Sequence, residues 1–219
     1  MNTPAPRAQL GWLERFAPLG AIVFGVWLAI AFLMSPDNGE TSESVLRSAR
    51  DHEGENIVAQ ILALAAPILI GWFLAGLLAR MRPLADSLAR TLTLVGGTLF
   101  VAFFSVAITL WTAPLLDHDS LSATQAEAYL AFDDVGWVLL GTAGVAAGVM
   151  IIGASLAALR LGWGPRWLGI VSLLLGVASF ATIAFVGMFA WIAWLIVAGV
   201  LLLVWGDRTR DDAGVAHPA

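Results

Sequence analysis

The sequence contains no cysteine and no lysine. Without cysteine the chain can form no disulfide, offer no thiol nucleophile and bind no metal through thiolates. Without lysine it can form no Schiff base, which excludes retinal-type pigments and lysine-based catalysis. All 11 basic side chains are therefore arginines, and the three histidines are the remaining groups that titrate near neutral pH.

Ionisable residues are also missing from five long apolar stretches, which are 16–36, 57–79, 91–116, 135–159 and 167–206. About 20 apolar residues cross a membrane as a helix, so the first four stretches each supply one span. The last is long enough for two spans joined by a tight turn near Gly187. Together with 59% hydrophobic residues and a mean hydropathy of +0.86, this pattern predicts an all-α polytopic membrane protein of six transmembrane helices.

The predicted spans form a single domain over residues 1–210 and lie at about 16–34, 57–79, 91–113, 135–159, 166–185 and 188–206. Residues 211–219 are expected to form a disordered cytoplasmic tail. The start of the chain also imitates a signal peptide, because Arg7 and Arg15 precede an apolar run. The length of that run favours an uncleaved first span over a cleaved leader.

Arginine collects on one side of the predicted membrane. Nine arginines fall on the side of the two termini, whereas the opposite loops, 35–56 and 117–134, carry two arginines among eleven Asp and Glu. Because arginine in short loops marks the cytoplasmic side, we expect a bacterial inner-membrane protein with both termini in the cytoplasm. The absence of a basic domain outside the membrane gives no support for nucleic-acid binding.

The two acidic loops contain amphipathic segments, 42–52 and 122–132. Both are predicted to form short helices along the membrane surface, with Val45 and Leu46 facing the membrane in the first. Trp111, Trp137 and Trp191 are expected at the same outer interface, where tryptophan is enriched.

Small residues recur every seventh position on three spans: Thr91, Thr98, Ser105 and Thr112; Gly141, Gly148 and Ser155; Gly169 and Gly176. Such repeats are typical of faces along which membrane helices pack closely. The alternative is a polar-lined cavity for a lipid or solute, to which Thr98 and Ser105 would contribute.

The candidate ligand-binding residues at the outer mouth are His52, Gln60, Asp134 and Trp137. The segment from His52 to Asn56 begins like the zinc motif H-E-x-x-H, but Asn56 replaces the required second histidine. A looser metal site could combine His52 with His118, yet solvated loop residues explain both better. We therefore predict no metal site, no cofactor and no catalytic residue.

Several short motifs resemble those of a family of bacterial, mostly actinobacterial, six-span membrane proteins of unknown function. They are Arg50-Asp51-His52, Trp72 to Arg80, Asp134-Val135-Gly136-Trp137, Ser155 to Arg160, and Gly164-Pro165-Arg166-Trp167-Leu168-Gly169. The resemblance implies a six-span helical fold and no particular activity.

Three functions remain open at this stage. The first is a non-catalytic scaffold, accessory or sensor protein that binds membrane lipid, a second copy of itself or another membrane protein. The second is a carrier for a neutral or lipophilic solute, using the Thr98 face and a kink at Pro67. The third is a membrane enzyme with an outer site of His and Asp residues.

Overall fold

A computed structural model describes residues 11–34, 41–51, 53–112, 122–184 and 186–205. Within these ranges 93% of the residues are helical and no strand occurs. Two short 3₁₀ segments, Arg82–Leu84 and Ser179–Ala184, interrupt the α-helices. The helices are α1 (Trp12–Phe16), α2 (Pro18–Met34), α3 (Ser42–Asp51), α4 (Glu53–Arg80), α5 (Leu88–Thr112), α6 (Ala123–Leu161), α7 (Arg166–Ala178) and α8 (Val186–Trp205).

Six segments of the described chain are long and apolar enough to cross a membrane. They are Trp12–Ile30, Ala63–Arg80, Leu88–Trp111, Ala123–Leu161, Arg166–Ala184 and Gly187–Val204. The all-α, six-span prediction is thereby confirmed. His52, His118 and the tail 211–219 lie outside the described residues.

Helix α6 is the centre of the bundle, with α5 on one face and α7 on the other. A Cβ added to Gly153 would lie 2.7 Å from the Ala89 carbonyl oxygen of α5, and one added to Gly148 would lie 2.6 Å from that of Gly176 in α7. These approaches are open only to glycine, as in other closely packed membrane helices. The predicted packing faces that contain Gly148 and Gly176 are confirmed.

An aromatic cluster joins α2, α5 and α8 inside the bundle. The ring of Trp191 lies 5.3 Å from that of Phe100 and 6.4 Å from that of Phe24, and Phe104 completes the group. Trp191 is fully buried, so its predicted place at the outer interface is wrong. The three surrounding phenylalanines offer the indole a larger apolar contact than the interface would.

The two ends of the bundle differ in charge. We call the end with Arg15, Arg80, Arg82, Arg90, Arg160 and Arg166 the arginine end, and the end with α3, Glu127 and Asp133 the acidic end. At the arginine end, the Arg80 guanidinium donates to the carbonyl oxygens of Glu14 at 2.7 Å and Arg15 at 3.2 Å. These bonds satisfy carbonyls that α1 leaves unpaired where it ends, and they tie α1 to α4.

At the acidic end, α3 packs against the first turns of α6. Val45 is buried with Ala126 and Tyr129, and Leu46 and Leu130 pack around them. The prediction that 122–132 lies along the membrane surface is wrong, because α6 runs without a break from Ala123 to Leu161. Val45 likewise faces α6 and not the membrane, since two amphipathic helices can bury their apolar faces against each other.

Span five changes helix type along its length. The α-helical part ends at Ala178, and the 3₁₀ segment that follows, with a kink at Ala181, leads into α8. A Cβ on Gly187 would lie 2.7 Å from the Ala178 carbonyl oxygen, so the start of α8 presses directly against the end of α7. At the other end of α7, Gly162 adopts a left-handed conformation, with φ of 67°, and ends α6.

Candidate functional site: a cavity at the arginine end

A cavity of about 440 Å³ lies between α6, α7 and α8 at the arginine end. Its walls include Ala154, Ser155 and Ala158 of α6, Gly169 and Ser172 of α7, and Trp194 and Ala198 of α8. This volume falls within the range of about 300–1,000 Å³ that is usual for small-molecule sites. The cavity is therefore large enough to hold part of a ligand.

The walls are more apolar than polar, and small residues of α6 and leucines of the neighbouring helices are among the residues that line them. Leu77, Leu168, Leu175 and Leu202 contribute to the lining. Ser155 adds little polarity, since its hydroxyl donates to the Ile151 carbonyl oxygen of its own helix at 2.7 Å. Trp194 forms part of the α8 wall and is held by an edge-to-face contact with Phe73, with ring centres 6.2 Å apart. Such a surface suits an alkyl chain better than a polar solute.

Two arginines stand at the mouth. Arg160 lies in the last turn of α6, Arg166 is the first residue of α7, and both belong to the lining of the cavity. The turn between them is fixed by the Trp163 amide, which donates to the Ala158 carbonyl oxygen at 3.1 Å. Within the described part of the chain, neither guanidinium has an ion-pair or hydrogen-bond partner. The mouth therefore carries two cations that no described acid neutralises.

Other arginines of the same end are engaged within the protein. Arg82 pairs with the Glu14 carboxylate at 2.6 Å, and Arg80 bonds to the carbonyls of α1. Arg160 and Arg166 differ from Arg80 and Arg82 because no described residue pairs with them, and the buried Nε of Arg90 likewise has no described partner.

The predicted outer site is only partly within the described residues. His52 lies outside them, and the side chain of Gln60 is likewise not among those described. Asp134 is exposed, whereas Trp137 is half-buried and meets Trp111 edge-on, with ring centres 5.1 Å apart. The structure thus brings Trp137 against α5, at the junction of α5 and α6.

Asp133, the residue before Asp134, is a half-buried acid at the junction of α5 and α6. It precedes the charge-free part of α6, and the Trp111 indole N–H approaches its carbonyl oxygen at 3.5 Å. Nothing in the sequence indicated the contact between Asp133 and Trp111.

Thr98 and Ser105 do not line the cavity. Thr98 is exposed on the surface of α5, and the Ser105 hydroxyl donates to the Val101 carbonyl oxygen at 2.6 Å. The hydroxyl that lies between α5 and α6 belongs to Thr93, which donates to Ala89 at 2.9 Å. The packing prediction is therefore wrong for Thr91 and Thr98, which are both exposed.

Among the described residues, no group of three His, Asp or Glu side chains could hold a metal ion. Because His52 and His118 lie outside those residues, the looser metal site that would combine them is neither supported nor contradicted.

Several residues that line the cavity stand out in the sequence, but nothing in the sequence indicates that they lie together. The small residues of α6 and α7 were recognised as packing positions, and Arg160 and Arg166 served only to orient the chain. Whether the small residues and the two arginines line one cavity depends on the distance between α7 and α8. The spacing of small residues along the sequence does not specify that distance. Comparison with models of known families, with curated proteins and with solved structures finds nothing that matches this chain.

Proposed function

We propose that this protein is a non-catalytic, multi-pass membrane protein that binds a membrane lipid in the cavity at the arginine end, as an accessory or sensor. The observation that carries this proposal is the apolar cavity of about 440 Å³ whose mouth holds Arg160 and Arg166. On the rule that arginine-rich loops stay inside, the mouth faces the cytoplasmic leaflet of a bacterial inner membrane, and both termini lie on that side.

The position of α7 favours a ligand that arrives from the bilayer. Only 22% of span five is buried inside the protein, compared with 56% of the span that contains α6. Helix α7 forms one wall of the cavity and is mostly exposed on the outside of the bundle. A lipid chain needs to displace few protein contacts to enter there, and it would exchange one apolar environment for another.

The lining residues support binding in preference to catalysis. No Asp, Glu or His is among the described residues that line the cavity. Its hydroxyl groups, Ser155 and Ser172, have no neighbouring general base in the lining, and an unactivated hydroxyl is a weak nucleophile.

A carrier for a neutral or lipophilic solute is the second candidate, and the same cavity would be its binding site. The residues first suggested for a solute path, Thr98 and Ser105, do not line that cavity. Solute flux into liposomes that contain the protein would favour this candidate over simple lipid binding.

The proposal is tested by native mass spectrometry of protein released from lipid nanodiscs. Ala198→Phe places a large side chain in the cavity, whereas Ala193→Phe places the same side chain on an exposed position of the same helix. We expect wild-type protein and Ala193→Phe to retain a bound lipid and Ala198→Phe to lose it. Equal retention by both variants, with unchanged thermal unfolding, would refute lipid binding in this cavity.

A further inference from the structure

We infer that the lipid bound in the cavity is anionic and that Arg160 and Arg166 bind its phosphate group. This inference rests on the proposed function and adds the chemistry of the headgroup to it. Two arginines that have no partner among the described residues stand at the mouth of this cavity.

The described residues of the arginine end carry more positive than negative charge. Six described arginines lie there, against two described acids, Glu14 and Asp86. Glu14 already pairs with Arg82. Asp86 is exposed in the connection between α4 and α5 and does not line the cavity. No described carboxylate is therefore placed to neutralise the two guanidiniums at the mouth.

Guanidinium groups suit phosphate in particular. Their planar fork of N–H donors forms paired, charge-assisted hydrogen bonds with phosphate oxygens, and arginine is more weakly hydrated than lysine. Among the described residues, the first turn of α7 adds no competing anion, because it contains no acidic residue and has no side-chain cap. The positive end of the α7 dipole lies at the mouth, and the negative end of the α6 dipole offsets it there.

The apolar walls distinguish an anionic lipid from a free phosphate ion. A free ion would bind at the rim and leave the cavity below it filled only by solvent against leucine and alanine side chains. A phospholipid joins the two parts, since its phosphate lies at the level of the arginines while its chain enters between α6, α7 and α8. Close packing of the chain between the helices then adds van der Waals contacts to the binding of the headgroup.

The test compares lipid selectivity with total lipid retention in the same protein. Wild-type protein is placed in nanodiscs of equal parts phosphatidylglycerol and phosphatidylcholine with identical chains, and the retained lipid is identified by native mass spectrometry. We expect phosphatidylglycerol to be enriched in the bound fraction. Arg160→Gln and Arg166→Gln should each lower that enrichment, and the double variant should lower it by about tenfold or more, as expected for loss of hydrogen bonds to a charged group.

The matched control is Arg47→Gln, which changes the charge by the same amount on the exposed face of α3 at the acidic end. It should leave the enrichment unchanged. Arg166→Lys keeps the charge but not the planar fork, so it should restore only part of the selectivity that Arg166→Gln removes. Both mouth arginines are exposed, and thermal unfolding of each variant establishes that the fold is retained.

The outcomes separate the two proposals. If the arginine variants keep wild-type selectivity while Ala198→Phe loses its lipid, the anionic headgroup is refuted and lipid binding stands. If Ala198→Phe keeps its lipid, the cavity itself is refuted as the site. If millimolar inorganic phosphate displaces the retained phosphatidylglycerol as readily as excess lipid does, the mouth is an anion site and the assignment to a lipid is wrong.

Discussion

Gly148 of α6 and Gly176 of α7 are packed backbone to backbone, because a Cβ on Gly148 would lie 2.6 Å from the Gly176 carbonyl oxygen. The ring of Phe180 closes the same space, at 2.7 Å from that Cβ position. This contact fixes the separation of α6 and α7 near the end of α7, and the residues of these two helices that line the cavity lie between this contact and the arginine end.

The first prediction concerns this contact. Gly148→Ala should lower the free energy of unfolding by about 1–3 kcal/mol, because the added methyl group meets backbone that cannot move aside. Unfolding in mild detergent with increasing denaturing detergent measures the change. The control is Gly71→Ala, where a Cβ meets nothing within 4 Å and the higher helix propensity of alanine applies. If both variants unfold alike, the close approach of α6 and α7 is wrong.

The second prediction concerns Trp191. Its indole N–H is buried without an acceptor among the described residues, and a buried unsatisfied donor costs about 1–3 kcal/mol. Trp191→Phe should therefore leave the free energy of unfolding unchanged or raise it. Trp191→Ala should lower it by about 3–5 kcal/mol through the cavity that it leaves. A large loss with phenylalanine would mean that the N–H has a partner.

The third prediction concerns the link between α1 and α4. Arg80→Gln should increase amide hydrogen exchange in α1 and its neighbours, because the carbonyls of Glu14 and Arg15 lose the guanidinium donor. Arg82→Gln is the control, since its ion pair with Glu14 is partly exposed and such pairs contribute about 0–1 kcal/mol. Equal protection of α1 in the two variants would contradict the role given to Arg80.

The fourth prediction uses the absence of native cysteine. Cysteines introduced at Val45 and Ala126 should form a disulfide under mild oxidation, because the two side chains are buried together where α3 packs on α6. A pair at Arg47 and Ala126 should not, since Arg47 points away into solvent. If the second pair crosslinks as readily as the first, α3 does not pack on α6 in this register.

The fifth prediction tests the orientation proposed for the chain. A cysteine at Arg47 should react with a membrane-impermeant maleimide in intact cells, whereas one at the exposed Asp86 should react only after the membrane is opened. The reverse pattern would place the arginine end outside and would remove the cytoplasmic leaflet as the source of the ligand.

The helices themselves were predictable because their physical cause is local. Apolar length determines a span, and the glycine positions on α6 and α7 marked where backbones approach. What depends on three-dimensional packing was not predictable. In the sequence, Trp191 cannot be distinguished from an interfacial tryptophan. Only its contacts with the phenylalanines of α2 and α5 show that it is internal. The same holds for Val45, because the apolar face of α3 can pack against a membrane or against a neighbouring helix equally well.

The 3₁₀ segment has a consequence for the thickness of membrane that span five fits. The 13 residues of α7 cover about 20 Å at about 1.5 Å each, which is short of a hydrocarbon layer of about 30 Å. The six residues of Ser179–Ala184 add at most about 12 Å at the larger 3₁₀ rise of about 2.0 Å, because the kink at Ala181 shortens the segment. As α-helix they would add about 9 Å, so the 3₁₀ turns lengthen span five by up to about 3 Å. Hydrophobic matching of this span to its bilayer thus depends on helix type as well as on residue count.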